Sequence, residues 1–112
     1  MKRVVWVDPR AESEIEAVVA WYEEQRPGLG REFLRELKTS FARARRAPEL
    51  YAVVARRTRR MLISRFPYML LFVQDSERIV VTAVFHLKRN PQRWSDRVRE
   101  RVVALEPMEA FA

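Results

Sequence analysis

Tyr68-Met-Leu-Leu-Phe-Val73 and Ile79-Val-Val-Thr-Ala-Val-Phe85, joined by the polar segment Asp75-Ser-Glu-Arg78, decide the fold. Neither run alternates in the manner of a strand with one wet face. Both are apolar at nearly every position, as expected of central strands covered on two sides. A polar connection of this length favours antiparallel pairing. The hairpin then closes at residues 75–78, and its open end brings residues 66–68 close to 85–87. Two segments converge there, Arg65-Phe-Pro-Tyr68 and His86-Leu-Lys-Arg-Asn-Pro-Gln-Arg-Trp94. The result is a dense basic and aromatic cluster at one edge of a small sheet.

Working upstream, Val4-Val-Trp-Val7 is a short strand. Asp8-Pro9 starts a helix, with Asp8 as N-cap and Pro9 at the first helical position. Glu12 and Glu14 lie near the positive end of its dipole. Ile15, Val18, Val19 and Tyr22 form one helical face. Pro27-Gly28 ends this helix and Gly30 permits the turn. A second helix from about Arg31 to Arg46 carries Leu34, Leu37, Phe41 and Ala44 as its apolar stripe, which completes a helical hairpin closed by Pro48. Tyr51 to Val54 is a weak strand, Arg56-Arg-Thr-Arg-Arg60 a basic connection, and Arg60 to Arg65 an alternating strand. Downstream, Asn90-Pro91 starts a short helix whose inner face is Val98, Val102 and Leu105. The order β-α-α-β-β-β-β-α predicts an α+β fold: an N-terminal strand, a helical hairpin, then an antiparallel β-meander with a short C-terminal helix, the helices lying on one face of the sheet. The pattern leaves open where the first strand joins.

A chain of 112 residues makes one domain, 1–112, with a core of about 3–97 and a loose tail over 104–112. Hydrophobic residues make up 48%, enough for a core without disulfides, and there is no cysteine, which excludes thiolate catalysis and cysteine-ligated zinc. The single histidine has no carboxylates at ligand spacing, so neither metal nor cofactor is expected. The N-terminus turns polar too soon for a signal peptide, and no apolar run approaches the roughly 20 residues that cross a bilayer. The expectation is a soluble, cytoplasmic protein with no membrane contact. The charge of +7 and pI of about 10.7 point to polyanions: RNA, DNA or an acidic protein. All but three of its 22 basic residues are arginine, whose planar fork binds phosphate and carboxylate in two-pronged fashion.

Three groups of residues bear on chemistry. His86, Lys88, Arg89, Arg93 and Trp94, with Arg65 and Tyr68 across the hairpin, combine cations for phosphate with rings for unpaired bases. Histidine titrates nearest neutrality, so His86 is the candidate acid or base. His86 equally suits a hydrogen-bonded cap at a strand end, and Trp94 equally suits packing of the terminal helix. Arg56, Arg57, Arg59 and Arg60 form a second basic group, either a phosphate or acidic-partner contact or a solvated loop. Glu12, Glu14, Glu16, Glu23 and Glu24 read as a solvated helix face. There is no phosphate-cradling glycine loop, no Gly-x-Ser-x-Gly and no His-Glu-x-x-His.

In their order and spacing, Asp8-Pro9, Ala11, Ile15, Tyr22, Gly30, Phe33, Arg65-Phe-Pro-Tyr68, Ala83-Val-Phe-His86, Arg89, Pro91 and Trp94 resemble the ParE/RelE toxin superfamily, over roughly residues 3–97. The resemblance implies a ParE-like plasmid stabilisation toxin of a type II toxin–antitoxin module, whose action is growth inhibition. It also implies a cognate antitoxin that wraps the toxin by helix-in-groove or strand-addition contacts. ParE-like members inhibit DNA gyrase and are not nucleases. RelE-like members are metal-independent endoribonucleases that cleave mRNA on the ribosome. Arg89 matches a basic RelE position, and His86, Lys88 and Arg89 are the candidates if the chain is an RNase. Against that, the RelE arginine after the strand-opening tyrosine falls on Met69, and no tyrosine follows Tyr68. Loss of a positioned cation removes several kcal/mol of transition-state stabilisation, so the resemblance favours the gyrase-directed reading over mRNA cleavage. A non-toxic module that only binds an antitoxin is the third reading.

Overall fold

The computed structural model describes residues 3–88. In chain order they form β1 (Val4–Val7), α1 (Pro9–Gln25), α2 (Leu29–Arg46), a 3-10 turn (Pro48–Leu50), β2 (Val53–Ala55), β3 (Thr58–Leu62), β4 (Tyr68–Gln74) and β5 (Arg78–His86). The expected terminal helix and tail lie outside the described residues.

Local chemistry sets the helix ends. Asp8 Oδ1 accepts the Arg10 amide at 2.9 Å, with Pro9 at the first helical position. The turn to α2 is built by a residue expected on a solvated face. The Glu23 carboxylate accepts Gly28 N at 2.9 Å and Gly30 N at 3.0 Å, and so satisfies amides that α2 itself leaves open. Gly28 supplies the reversal at φ +89°. Gly30 does not make the turn. It is the second residue of α2, and a Cβ there would lie 2.8 Å from the Val19 carbonyl oxygen. Its missing side chain lets the two helices approach.

The five strands form one mixed sheet in the order β1-β5-β4-β3-β2. The β2 to β5 meander is antiparallel, as expected. The first strand joins it beside β5 and runs parallel to it, Val4 opposite Arg78 through Val7 opposite Val81. β4 and β5 are thereby both interior strands, and both are buried at nearly every position, in keeping with their apolar runs. Two expected boundaries shift. β3 begins at Thr58 and ends at Leu62, and the basic connection shrinks to the two-residue turn Arg56-Arg57 between β2 and β3.

α1 and α2 cover one face of the sheet. Under them lie Ala11, Ile15, Tyr22, Phe33, Leu37, Ala44, Met61, Ile63, Phe66, Tyr68, Leu70, Phe72, Ile79, Val81 and Val84. Met69, Leu71, Ala83 and Phe85 form a second buried cluster on the other face. The two memberships expose an irregularity in β5. Ile79 and Val81 face the helices, but so does Val84, an odd number of residues further on. The register explains it: Leu71 pairs with Ala83 and Phe72 with Val81, so Thr82 is an extra residue, a β-bulge. Its hydroxyl donates to the Leu71 carbonyl at 3.3 Å. Every β5 side chain beyond the bulge changes face.

Alanine at Gly30 gains about 1 kcal/mol of helix propensity but drives a methyl into backbone. We expect a net loss of about 1–2 kcal/mol from overpacking. Alanine at Gly28 meets no atom within 4 Å and should lose about 1 kcal/mol through its left-handed backbone alone. Thermal unfolding of both variants checks this; a Gly30→Ala melt at or above wild type would mean the helices have room to spare.

Candidate functional site

The change of face after Thr82 decides where His86 goes. It stands opposite Tyr68 in the ladder, on the helix side of the sheet. Its ring meets that of Tyr68 edge to face, with centroids 5.1 Å apart. Tyr68 is itself buried among Tyr22, Phe33 and Phe66, centroids 5.0 to 6.1 Å apart around the group. Tyr68 therefore supports His86 from beneath. His86 Nδ1 accepts the Lys88 amide at 3.1 Å, and Leu87 N donates to the Pro67 carbonyl at 2.9 Å. An acceptor Nδ1 leaves Nε2 as the protonated nitrogen. The strand-end capping anticipated for His86 is thus present, with Lys88 exposed two residues on. The antiparallel inference that 66–68 and 85–87 share one end of the sheet holds.

β1 ends at Val7, and the Asp8 amide makes its last rung to the Val81 carbonyl at 2.9 Å. Beyond that rung, Glu14 reaches from α1 and accepts the Val84 amide with Oε1 at 3.2 Å. A second member of the supposed solvated acidic face is therefore part of the architecture beside the site. Nothing in the sequence pattern pointed to it, because its partner is a backbone amide 70 residues away.

Arg65 turns away from this cluster. It adopts φ +72°, places its guanidinium 5.7 Å from the Phe66 ring centroid, and pairs with two carboxylates of α2: Glu32 at 2.9 Å and Glu36 at 3.3 Å. The second oxygen of Glu32 holds Arg26 at 2.9 Å. This chain of charges ties the helical turn, α2 and the β3–β4 loop together. The Arg65 hydrogen bond, followed by that of Arg26, holds the Glu32 carboxyl below its ordinary 4.5. The same pairing raises Arg65, which stays a cation throughout. Glu32 and Glu36 lie one helical turn apart, and no local signal names their partner.

The second basic group lies at the other end of the sheet, about 20 Å along β4 at strand spacing. Arg56 and Arg57 are the β2–β3 turn, Arg56 at φ +45°. Arg57 donates to the Gln74 carbonyl, and Arg59 Nη1 to the Tyr51 carbonyl at 2.7 Å. Arg60 is exposed in β3 opposite Leu71. The fold therefore separates the expected binding residues: His86, Lys88 and Tyr68 at one end, Arg56, Arg57 and Arg59 at the other. Arg89, Arg93 and Trp94 lie outside the described residues. Among the described residues no group of three or more His, Asp or Glu could hold a metal ion, and no helix is long and apolar enough to cross a membrane.

The family model for the ParE toxin of the type II toxin–antitoxin system, parDE, matches residues 5–91. The chain belongs to the ParE toxin family. Its fold is similar to that of a solved chain described as the chromosomal ParDE toxin–antitoxin system from P. aeruginosa, with a TM-score of 0.68 at 11% identity, covering 78% of this chain and 98% of that one. It is also similar to a free-state mutant of the E. coli toxin RelE, with a TM-score of 0.65 at 16% identity over 89% and 98%. No curated protein matches the sequence. The fold and family expected from the sequence are thus shown; at these identities the two structures speak for the fold alone.

The depressed Glu32 carboxyl gives this ParE-family chain an acid-side signature. Its contribution to stability is complete above the ordinary carboxyl pKa and is lost as pH falls below 4.5 through the lowered value. Glu32→Gln should start less stable at neutral pH and lose less between pH 5 and pH 3. Thermal melts across that range check it; parallel acid limbs for the two proteins would remove Glu32 from the account.

Proposed function

We propose that this toxin arrests growth by inhibiting DNA gyrase, without being an enzyme, and that a cognate antitoxin encoded with it neutralises it. The observation that carries the reading is the family match itself: over residues 5–91 it is to the ParE toxin. Met69 supports it. The position where RelE-like toxins carry a positioned arginine holds an apolar side chain, and Met69 is buried on the sheet face away from the helices. The contact surface is the His86 end of the sheet, formed by His86 and Lys88 and continued in sequence by Arg89, Arg93 and Trp94. A binding surface distributes its energy over several side chains, so single changes there weaken it by degrees.

Ribosome-dependent mRNA cleavage is the second reading. It draws support from the RelE-like fold and from a histidine two residues from an exposed lysine at the sheet end.

Pulse-labelling of DNA and protein synthesis just after induction without antitoxin separates the two. DNA synthesis should fall first, accompanied by a DNA-damage response. Protein synthesis failing first, with DNA synthesis continuing, would move the target to the ribosome. His86→Ala and Lys88→Ala should each raise the dose needed for arrest only several-fold. Complete loss of toxicity from a folded His86→Gln protein would argue for catalysis.

A further inference from the structure

An open sheet edge offers main-chain donors and acceptors to any extended chain that meets it. This sheet guards its edges unequally. β2 closes one side with only three residues and an irregular register between Val53 and Ala55. On the other side β1 stops at Val7, and beyond it the Val84 amide of β5 is taken by the Glu14 carboxylate. β1 itself carries no such device: from Val4 to Val7 there is no proline, no bulge and no charged side chain. Val4 N and Asp8 N donate to the Glu77 and Val81 carbonyls, so the even-numbered residues of β1 turn their main-chain groups toward β5. In a regular parallel pairing the residues between them, Val5 and Val7, point their N–H and C=O groups outward. Among the described residues no strand lies beside them.

Side chains alternate across this edge. Val5 and Val7 pack into the core under the helices. Val4 and Trp6 point to the opposite face and are 63% and 45% exposed. The helix side of the edge is basic. Arg3 Nη1 donates to the Arg45 carbonyl at 3.4 Å, which seats the last turn of α2 beside the start of β1. That turn carries Arg43, Arg45 and Arg46, all exposed. Among the described residues none of these four arginines pairs with a carboxylate. The neighbouring acids along the chain are Glu49 in the 3-10 turn and Glu77 just before β5, so this rim keeps a surplus of positive charge.

We propose that the open edge of β1 takes up an extended segment of a partner protein in which acidic and apolar residues alternate. Its main chain pairs with Val5 and Val7. Its acidic side chains fall on the helix side, toward Arg3, Arg45 and Arg46, and its apolar ones on the opposite face, against Val4 and Trp6. The four residues of β1 span about 13 Å at strand spacing, so a short segment suffices. A second copy of this chain fits the edge poorly, because a charge of +7 would meet its equal. The inference rests on the reading that a partner protein neutralises this toxin, and it names the surface and the chemistry of that contact.

Nuclear magnetic resonance of the full chain, titrated with an acetylated and amidated octapeptide alternating glutamate and valine, tests it. The Val5 and Val7 amides should gain protection from hydrogen exchange, with the Trp6 indole resonance shifting at the same peptide concentration. The same peptide N-methylated at alternate residues loses its outward donors and should not bind. Arg45→Gln/Arg46→Gln should weaken the glutamate peptide at least about threefold at low ionic strength and leave a glutamine–valine peptide unchanged. Arg31→Gln/Arg35→Gln removes the same charge from the other end of α2 and should bind as wild type. No protection of Val5 and Val7 at millimolar peptide would overturn the proposal, as would equal weakening by the two double variants. So would protection that grows with protein concentration in the absence of peptide, which would make β1 a contact between copies, or an oligonucleotide that binds with the same Arg45 and Arg46 dependence where the peptide does not. Growth arrest does not enter the readout. A failed titration therefore removes this surface and leaves the neutralisation reading standing, and a failed neutralisation in cells does the reverse.

Discussion

The antiparallel ladder between β4 and β5 is the constraint on which everything else hangs. Among the described residues it is the one pair of strands buried on both faces: Leu70, Phe72, Ile79 and Val81 are covered by the helices, and Leu71 and Ala83 are fully buried on the other side. At about 1.5–3 kcal/mol for each large apolar side chain buried, this pair of strands is the main source of hydrophobic stabilisation. Its bulge at Thr82 also sets where His86 stands. With strict alternation from Ile79, His86 would share a face with Val80 and Thr82, on the far side of the sheet. The extra residue brings it back over Tyr68, on the helix side, at the sheet end where the chain leaves β5.

The helical layer reaches this ladder through rings and carboxylates. Tyr22 of α1, Phe33 of α2, Phe66 of the β3–β4 loop and Tyr68 of β4 form one aromatic group, so the edge-to-face contact under His86 is continuous with the packing of both helices. Around it, acidic residues of the helices do structural tasks. Glu23 closes the helical turn, Glu14 covers the β5 amide beyond the end of β1, and Glu32 with Glu36 holds Arg65. Negative charge of the helices is thereby engaged within the fold.

Much of the architecture was legible because it arises from local chemistry. The Asp8-Pro9 start, the two amphipathic helices, the reversal at Pro27-Gly28 and the two central strands all follow from capping, periodicity and side-chain conformational limits. The misreadings share a cause. Gly30 looked like a turn residue because the sequence does not display the Val19 carbonyl that lies against it. Glu14 and Glu23 looked solvated because their partners are backbone amides, in the case of Glu14 one 70 residues away. Arg65 looked like a member of the His86 cluster because the sheet end brings its neighbours there, while its positive φ turns the side chain toward α2.

The sequence by itself determined the class of fold, the family and the identity of the residues rich in charge and rings, because apolar period, turn chemistry and the order of short motifs are properties of neighbouring residues. Only the tertiary structure decided which of those residues stand together. The parallel seat of β1 beside β5, the bulge that turns His86 to the helix side and the separation of the Arg56-Arg57 turn from the His86 end each depend on pairings between residues distant in sequence, whose energies no local pattern encodes.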